Sequence, residues 1–94
     1  MPNRQPIVEV FEQIDNYRDL IVILGDVVVG ELSRNTIDGM VYPSQELLNI
    51  FCIPQPFKGW DNAVEARDYL RYKTELNAAV RAKLGDMNVL HFPQ

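Results

Sequence analysis

The chain has little of what most catalytic and metal chemistry is built from. It holds one cysteine, Cys52, and one histidine, His91, among 94 residues. A single cysteine excludes an intrachain disulfide and a multi-cysteine zinc site. The five glycines are scattered singly, so no glycine-rich phosphate loop exists. No apolar run approaches the roughly 20 residues that a membrane span needs. Residues 1–5 are polar, and no apolar segment of signal-peptide type follows them. These absences lead us to expect an intracellular, cytoplasmic, non-enzymatic protein with no cofactor, no metal and no membrane contact.

Positive charge is scarce in the first part of the chain. Residues 1–57 carry three basic and eight acidic side chains, a net of −5, while residues 58–94 carry six basic and five acidic ones, a net of +1. The acidic part repels nucleic acid at long range and favours a basic partner surface. What the chain does have is a hydrophobic fraction of 47%, which fits a globular chain and argues against global disorder. Its length fits one domain over residues 1–94. Pro2 and Pro6 mark residues 1–6 as a flexible tail.

The densest apolar stretch is 20–32. Five apolar residues, Leu20 to Leu24, precede Gly25-Asp26, and Val27, Val28 and Val29 follow. β-Branched residues favour a pleated surface, and Gly25 supplies the positive φ of a two-residue turn. We therefore expect a β-hairpin over about 20–32. With Leu24 opposite Val27, Ile23 opposite Val28 and Val22 opposite Val29, one face carries Leu20, Val22, Leu24, Val27 and Val29. The other carries Ile21, Ile23, Val28 and Leu32. Both faces are apolar, which calls for cover on both sides, from this chain or from a second one. A helix running from Ile7 through Leu32 is the competing reading, and Gly25, Gly30 and the density of valine and isoleucine weigh against it.

Around the hairpin the signals are local. The spacing Ile7, Val10, Phe11, Ile14 favours a short helix over residues 7–14, and the brief alternation Val8, Glu9, Val10 leaves a strand open as the alternative. Asp15-Asn16-Tyr17-Arg18-Asp19 reads as a turn. Asp38-Gly39 predicts a turn into a short extended segment, which Pro43 keeps extended at Tyr42. Ser44 is the expected N-cap of a short helix over about 44–53, with Leu47, Leu48 and Phe51 on its apolar side. After the stiff stretch Pro54-Gln55-Pro56-Phe57-Lys58-Gly59-Trp60, Asp61 or Asn62 caps a long helix over about 61–84, stopped by Gly85. Its apolar side is expected to hold Ala66, Tyr69, Leu70, Tyr72, Leu76, Ala79, Val80 and Leu84. An extra strand is expected near 88–92. The fold class is thus α+β: a hairpin packed against a short and a long helix.

Cys52 and His91 could in principle form a thiolate–imidazole dyad. Both sit in apolar segments, where a buried cysteine and a structural histidine need no such role. Phe57 and Trp60 in the stiff linker, with Tyr69 and Tyr72 of the long helix, are candidates for a protein interface, because aromatic residues dominate interface hot spots. Equally, Trp60 could fold back over Val64 as a staple. Arg67, Arg71 and Arg81 cluster on one flank of the long helix and are the candidate nucleic-acid contacts.

The order hairpin, Asp38-Gly39-Met40-Val41-Tyr42, helix at Leu47-Leu48, then Phe57-Lys58-Gly59-Trp60 before another helix resembles KilA-N or BRO-type phage DNA-binding domains over about residues 20–84. The resemblance implies a hairpin packed with helices and a DNA partner. It transfers no functional residue, and the acidic first part of this chain departs from a DNA binder.

The leading expectation is a small acidic regulatory or inhibitory protein, of phage or bacterial type, that acts by binding a protein with a basic surface. Self-association into a homodimer is a further expectation. The alternative is a transcriptional regulator that binds nucleic acid through Arg67, Arg71 and Arg81.

Overall fold

The computed structural model describes residues 7–13, 16–25 and 27–87. They form an α+β unit with a four-stranded antiparallel sheet in the order β1-β2-β3-β4 and three helices. The strands are β1 (Val8–Gln13), β2 (Asn16–Leu24), β3 (Val27–Arg34) and β4 (Val41–Pro43). The helices are α1 (Gln45–Ile50), α2 (Ala63–Leu76) and α3 (Ala78–Asp86).

The hairpin stands where the β-branched run places it, with Leu24 opposite Val27 and Ile23 opposite Val28. Gly25 turns the chain at φ +64°. The register then departs from the expected one, since Val22 faces Gly30 instead of Val29. Val29 is the extra residue of a bulge, which adds one residue to a strand and shifts the alternation beyond it. That shift carries Leu32 opposite Leu20 and into the core, where both are fully buried. A strictly alternating strand would have put Leu32 on the other face.

Residues 7–14 are a correction to the expected helix. The described part is strand β1, with Val8 opposite Leu24 and Val10 opposite Val22. Helical spacing in so short a stretch is ambiguous, and pairing with β2 decides it. Asn16 to Asp19 are likewise part of β2 and not the expected turn. The residues expected to form the 1–6 tail and the 88–92 strand lie outside the described ones.

The helical layer lies on one face of the sheet, α1 against β3 and β4, α2 against β1, and α3 against the other two helices. Val8, Leu20, Val22, Leu24, Leu32 and Val41 from the strands meet Leu47, Phe51, Ala66, Leu70, Val80 and Leu84 from the helical layer in one buried cluster. Each fully buried leucine contributes roughly 2 kcal/mol of transfer free energy. Gly30 lets α1 approach: a Cβ there would stand 2.6 Å from Leu47 Cγ. Arg34, on the same face, is buried, and its guanidinium is held by Glu12 at 2.6 Å, as a buried charge requires.

The helix caps follow the sequence closely. Ser44 Oγ accepts from Leu47 N–H at 3.3 Å. Asn62 Oδ1 accepts from Glu65 N–H, and the Glu65 carboxylate accepts in return from Asp61 N–H, one residue before the usual capping-box position. The expected single helix over 61–84 is broken, however. Asn77 takes an extended backbone (φ −116°, ψ 108°), ends α2 and caps α3 through its side chain. Asparagine competes with helix geometry by bonding nearby backbone groups, and here it accepts from Ala79 and Val80 N–H. Within α2 the buried stripe is narrower than expected, and Tyr72 and Leu76 lie off it. Ala66, Leu70, Val80 and Leu84 are buried, whereas Tyr72 and Leu76 are 59% and 65% exposed. Gly85 does not stop the helix, which runs on through Asp86.

Candidate protein-binding surface

The strand register assigns the second face of the sheet residue by residue. Three cross-strand rows occupy it: Glu9, Ile23 and Val28; Phe11, Ile21 and Glu31; Asp19, Ser33 and Tyr42. Side chains directly opposite one another on a sheet lie close enough to form a continuous surface. Phe11 is 49% and Val28 55% exposed, and Ile21 and Ile23 between them are half-buried. Among the described residues, no helix lies on this face. Four apolar side chains thus share a face that no described helix covers.

The charged side chains that the strands themselves contribute to this face are carboxylates. Glu9, Asp19 and Glu31 stand in the three rows, and no lysine or arginine does. Glu9 is held at the β1 edge by Arg71, whose Nη2 lies 2.9 Å from its carboxylate. Glu31 has no side-chain partner among the described residues. Tyr42 closes the third row, and its hydroxyl donates to the Asp38 carboxylate at 3.0 Å. That hydrogen bond raises the phenol above its ordinary value, with burial and the Asp38 charge adding to it.

Phe57, Trp60 and Tyr69 come together, but as an internal cluster. Ring centroids lie 4.6 Å apart for Phe57–Trp60 and 5.5 Å for Trp60–Tyr69. Trp60 is 6% exposed and pairs by its backbone with Val41. Gly59, at φ +91°, stands against the Tyr42 ring and brings the chain into that pairing. Val64, the alternative staple partner, is exposed. Burial raises the Tyr69 phenol above its usual range. Tyr72 stands apart from the cluster and is exposed.

The three arginines are each engaged within the chain. Arg67 pairs with Asp68 at 3.1 Å. Arg71 donates to the Val8 carbonyl at 2.8 Å and to Glu9, tying α2 to the β1 edge. Arg81 donates to the Thr74 and Glu75 carbonyls that the Asn77 break leaves without helical partners. Lys73 donates to the Cys52 carbonyl, so it stabilises the turn after α1. Cys52 itself is half-buried at φ +52°, and His91 lies outside the described residues. No group of three or more His, Cys, Asp or Glu is placed to hold a metal ion among the described residues. No described helix is long and apolar enough to cross a membrane.

The open face was half visible in the sequence. Ile21, Ile23 and Val28 stand on the second hairpin face as expected. Phe11 was assigned to a helix, and only its alternation with Val8 and Val10 could have placed it. No protein-family model matches the chain, and no match emerges among curated proteins or solved structures.

Proposed function

We propose that this chain is a non-enzymatic regulatory or inhibitory protein that binds another protein through the open face of its sheet. The observation behind this reading is the acid-rimmed apolar surface formed by Phe11, Ile21, Ile23 and Val28, opposite the face that the helices cover. Its complement is a partner surface with an apolar strip flanked by lysine or arginine. Opposite potentials speed encounter and fix register, while the apolar strip supplies most of the affinity. A second copy of the chain fits less well, because the three rows offer no lysine or arginine to meet the Glu31 carboxylate.

The test compares wild-type protein with the double variant Phe11→Lys/Val28→Lys in affinity capture from the native cell, with and without nuclease. Both positions are about half exposed, so the variant should keep its melting temperature within a few degrees. The expected result is a partner retained by wild type, insensitive to nuclease and lost by the variant. Capture that survives the double substitution, or that nuclease abolishes, rejects the reading. Nuclease sensitivity would favour the nucleic-acid alternative through Arg67, Arg71 and Arg81. A concentration-dependent dimer in sedimentation that the variant dissolves would make the occupant a second copy.

A further inference from the structure

β4 is too short to cover β3. It pairs only with Leu32, Ser33 and Arg34. One more bond follows, from Ser44 N–H to the Glu31 carbonyl at 3.0 Å, and the chain then leaves the sheet into α1. Residues 27–30 of β3 therefore have no strand neighbour on that side among the described residues. Between this edge and the start of α1 lies an open groove of about 500 Å³, walled by residues 28–31 and 44–46.

The groove has a distinct chemistry. Its two charged side chains are Glu31 and Glu46, and no cation lines it. Both are exposed, and neither carboxylate has a partner among the described residues. Val28 and Glu31 belong also to the open face, so groove and face are continuous around the edge of β3.

We propose that the groove receives an extended, lysine- or arginine-bearing segment of the protein partner, which adds to the free edge of β3 as a short fifth strand. The inference rests on the protein-binding reading and gives it a mode. An exposed strand edge presents unpaired N–H and C=O groups, and an added strand satisfies them while alternate side chains enter flanking pockets. Four residues of free edge span on the order of 13 Å, room for one short segment. Side chains of one parity extend the open face beside Val28 and Glu31. Those of the other parity turn toward Ser44 and Glu46. The Val29 bulge interrupts the ladder and keeps it short. Charge pairing with Glu31 and Glu46 must then supply much of the specificity, and binding weakens as salt rises.

The test uses the full chain and a synthetic heptapeptide of alternating valine and lysine, with two controls. One control is the same peptide N-methylated at alternate amides, and the other has glutamate in place of lysine. Amide chemical-shift mapping should show changes confined to residues 27–31 and 44–46. Glu31→Lys/Glu46→Lys should weaken binding at least tenfold, and both control peptides should fail to bind. No binding of the parent peptide, or equal binding of the N-methylated one, overturns strand addition. Shifts at Phe11, Ile21 and Ile23 alone would also overturn it, while leaving the open face as the partner site. Repeating the cellular capture with Phe11→Lys alone, a position outside the groove that Val28 helps to line, tests that face separately, so the two readings can fail independently.

Discussion

Replacing Gly30 with alanine probes how the helical layer sits on the sheet. The Gly30 backbone lies outside the left-handed region, so the whole effect is contact. An added Cβ would stand 2.6 Å from Leu47 Cγ and 2.8 Å from Leu47 Cδ2. Ordinary carbon contacts lie near ~3.5–4.0 Å, so the Leu47 side chain must retreat by about 1 Å. Leu47 is fully buried in the six-residue α1, which leaves it no empty side to retreat into. Overpacking of this kind costs about 1–3 kcal/mol. Exchanging glycine for alanine in a strand returns about 0.5–1 kcal/mol through chain entropy. The net expectation is a loss of about 0–2.5 kcal/mol, centred on ~1 kcal/mol, with the melting temperature lower by about 4–8 °C for each kcal/mol.

A double-mutant cycle isolates the contact. Leu47→Ala alone should cost about 2–5 kcal/mol, because it empties a packed site. In that background Gly30→Ala fills part of the space and should be neutral or slightly stabilising. The coupling is therefore on the order of 1–3 kcal/mol. Urea unfolding followed by the fluorescence of Trp60, the single tryptophan and a buried one, reads all four proteins. A Gly30→Ala protein more stable than wild type would refute the reasoning. So would an equal loss in both backgrounds, which would mean that Leu47 is not what the alanine meets.

Two further outcomes test other parts of the structure. Asn77→Ala removes the acceptor for Ala79 and Val80 N–H and should destabilise the chain by about 1 kcal/mol in the same urea assay, while Asn77→Ser should restore most of it. An unchanged midpoint for Asn77→Ala would mean that the α3 cap carries no weight. Because Asp38 raises the Tyr42 phenol, the Asp38–Tyr42 contact stabilises the fold below the unfolded tyrosine value and is lost as pH rises through the folded one. In ultraviolet titration, Asp38→Asn should move one of the four tyrosines down toward the ordinary value. A superimposable curve would show that the hydrogen bond does not persist in solution.

Local chemistry was legible wherever it acts over a few residues. The caps at Ser44 and Asn62 work through a side-chain oxygen and an N–H three residues on, and the sequence holds both partners. The Gly25 turn and the density of valine and isoleucine around it gave the hairpin for the same reason, as did the Asp38-Gly39 turn before β4. The fold class follows from those elements. Hydrophobic residues at 66, 70, 80 and 84 were also correctly placed in the core.

Everything that depended on a partner distant in sequence was decided by the tertiary structure. Residues 7–13 hold helical spacing and strand alternation at once, and only the edge of β2 selects the strand. The Val29 bulge cannot be read from three consecutive valines. It arises because Gly30 must lie under Leu47 while Leu32 meets Leu20, and one surplus residue has to leave the ladder. Trp60 reads equally as an interface aromatic and as a staple over Val64, and its pairing with Val41 and packing beside Tyr69 decide for burial, with a different partner. The candidate surface shows the same division. The sequence determined that the hairpin is apolar on both sides. Which side the helices cover, which carboxylates rim the other, and where β4 leaves β3 bare are consequences of packing between segments that are far apart in the chain.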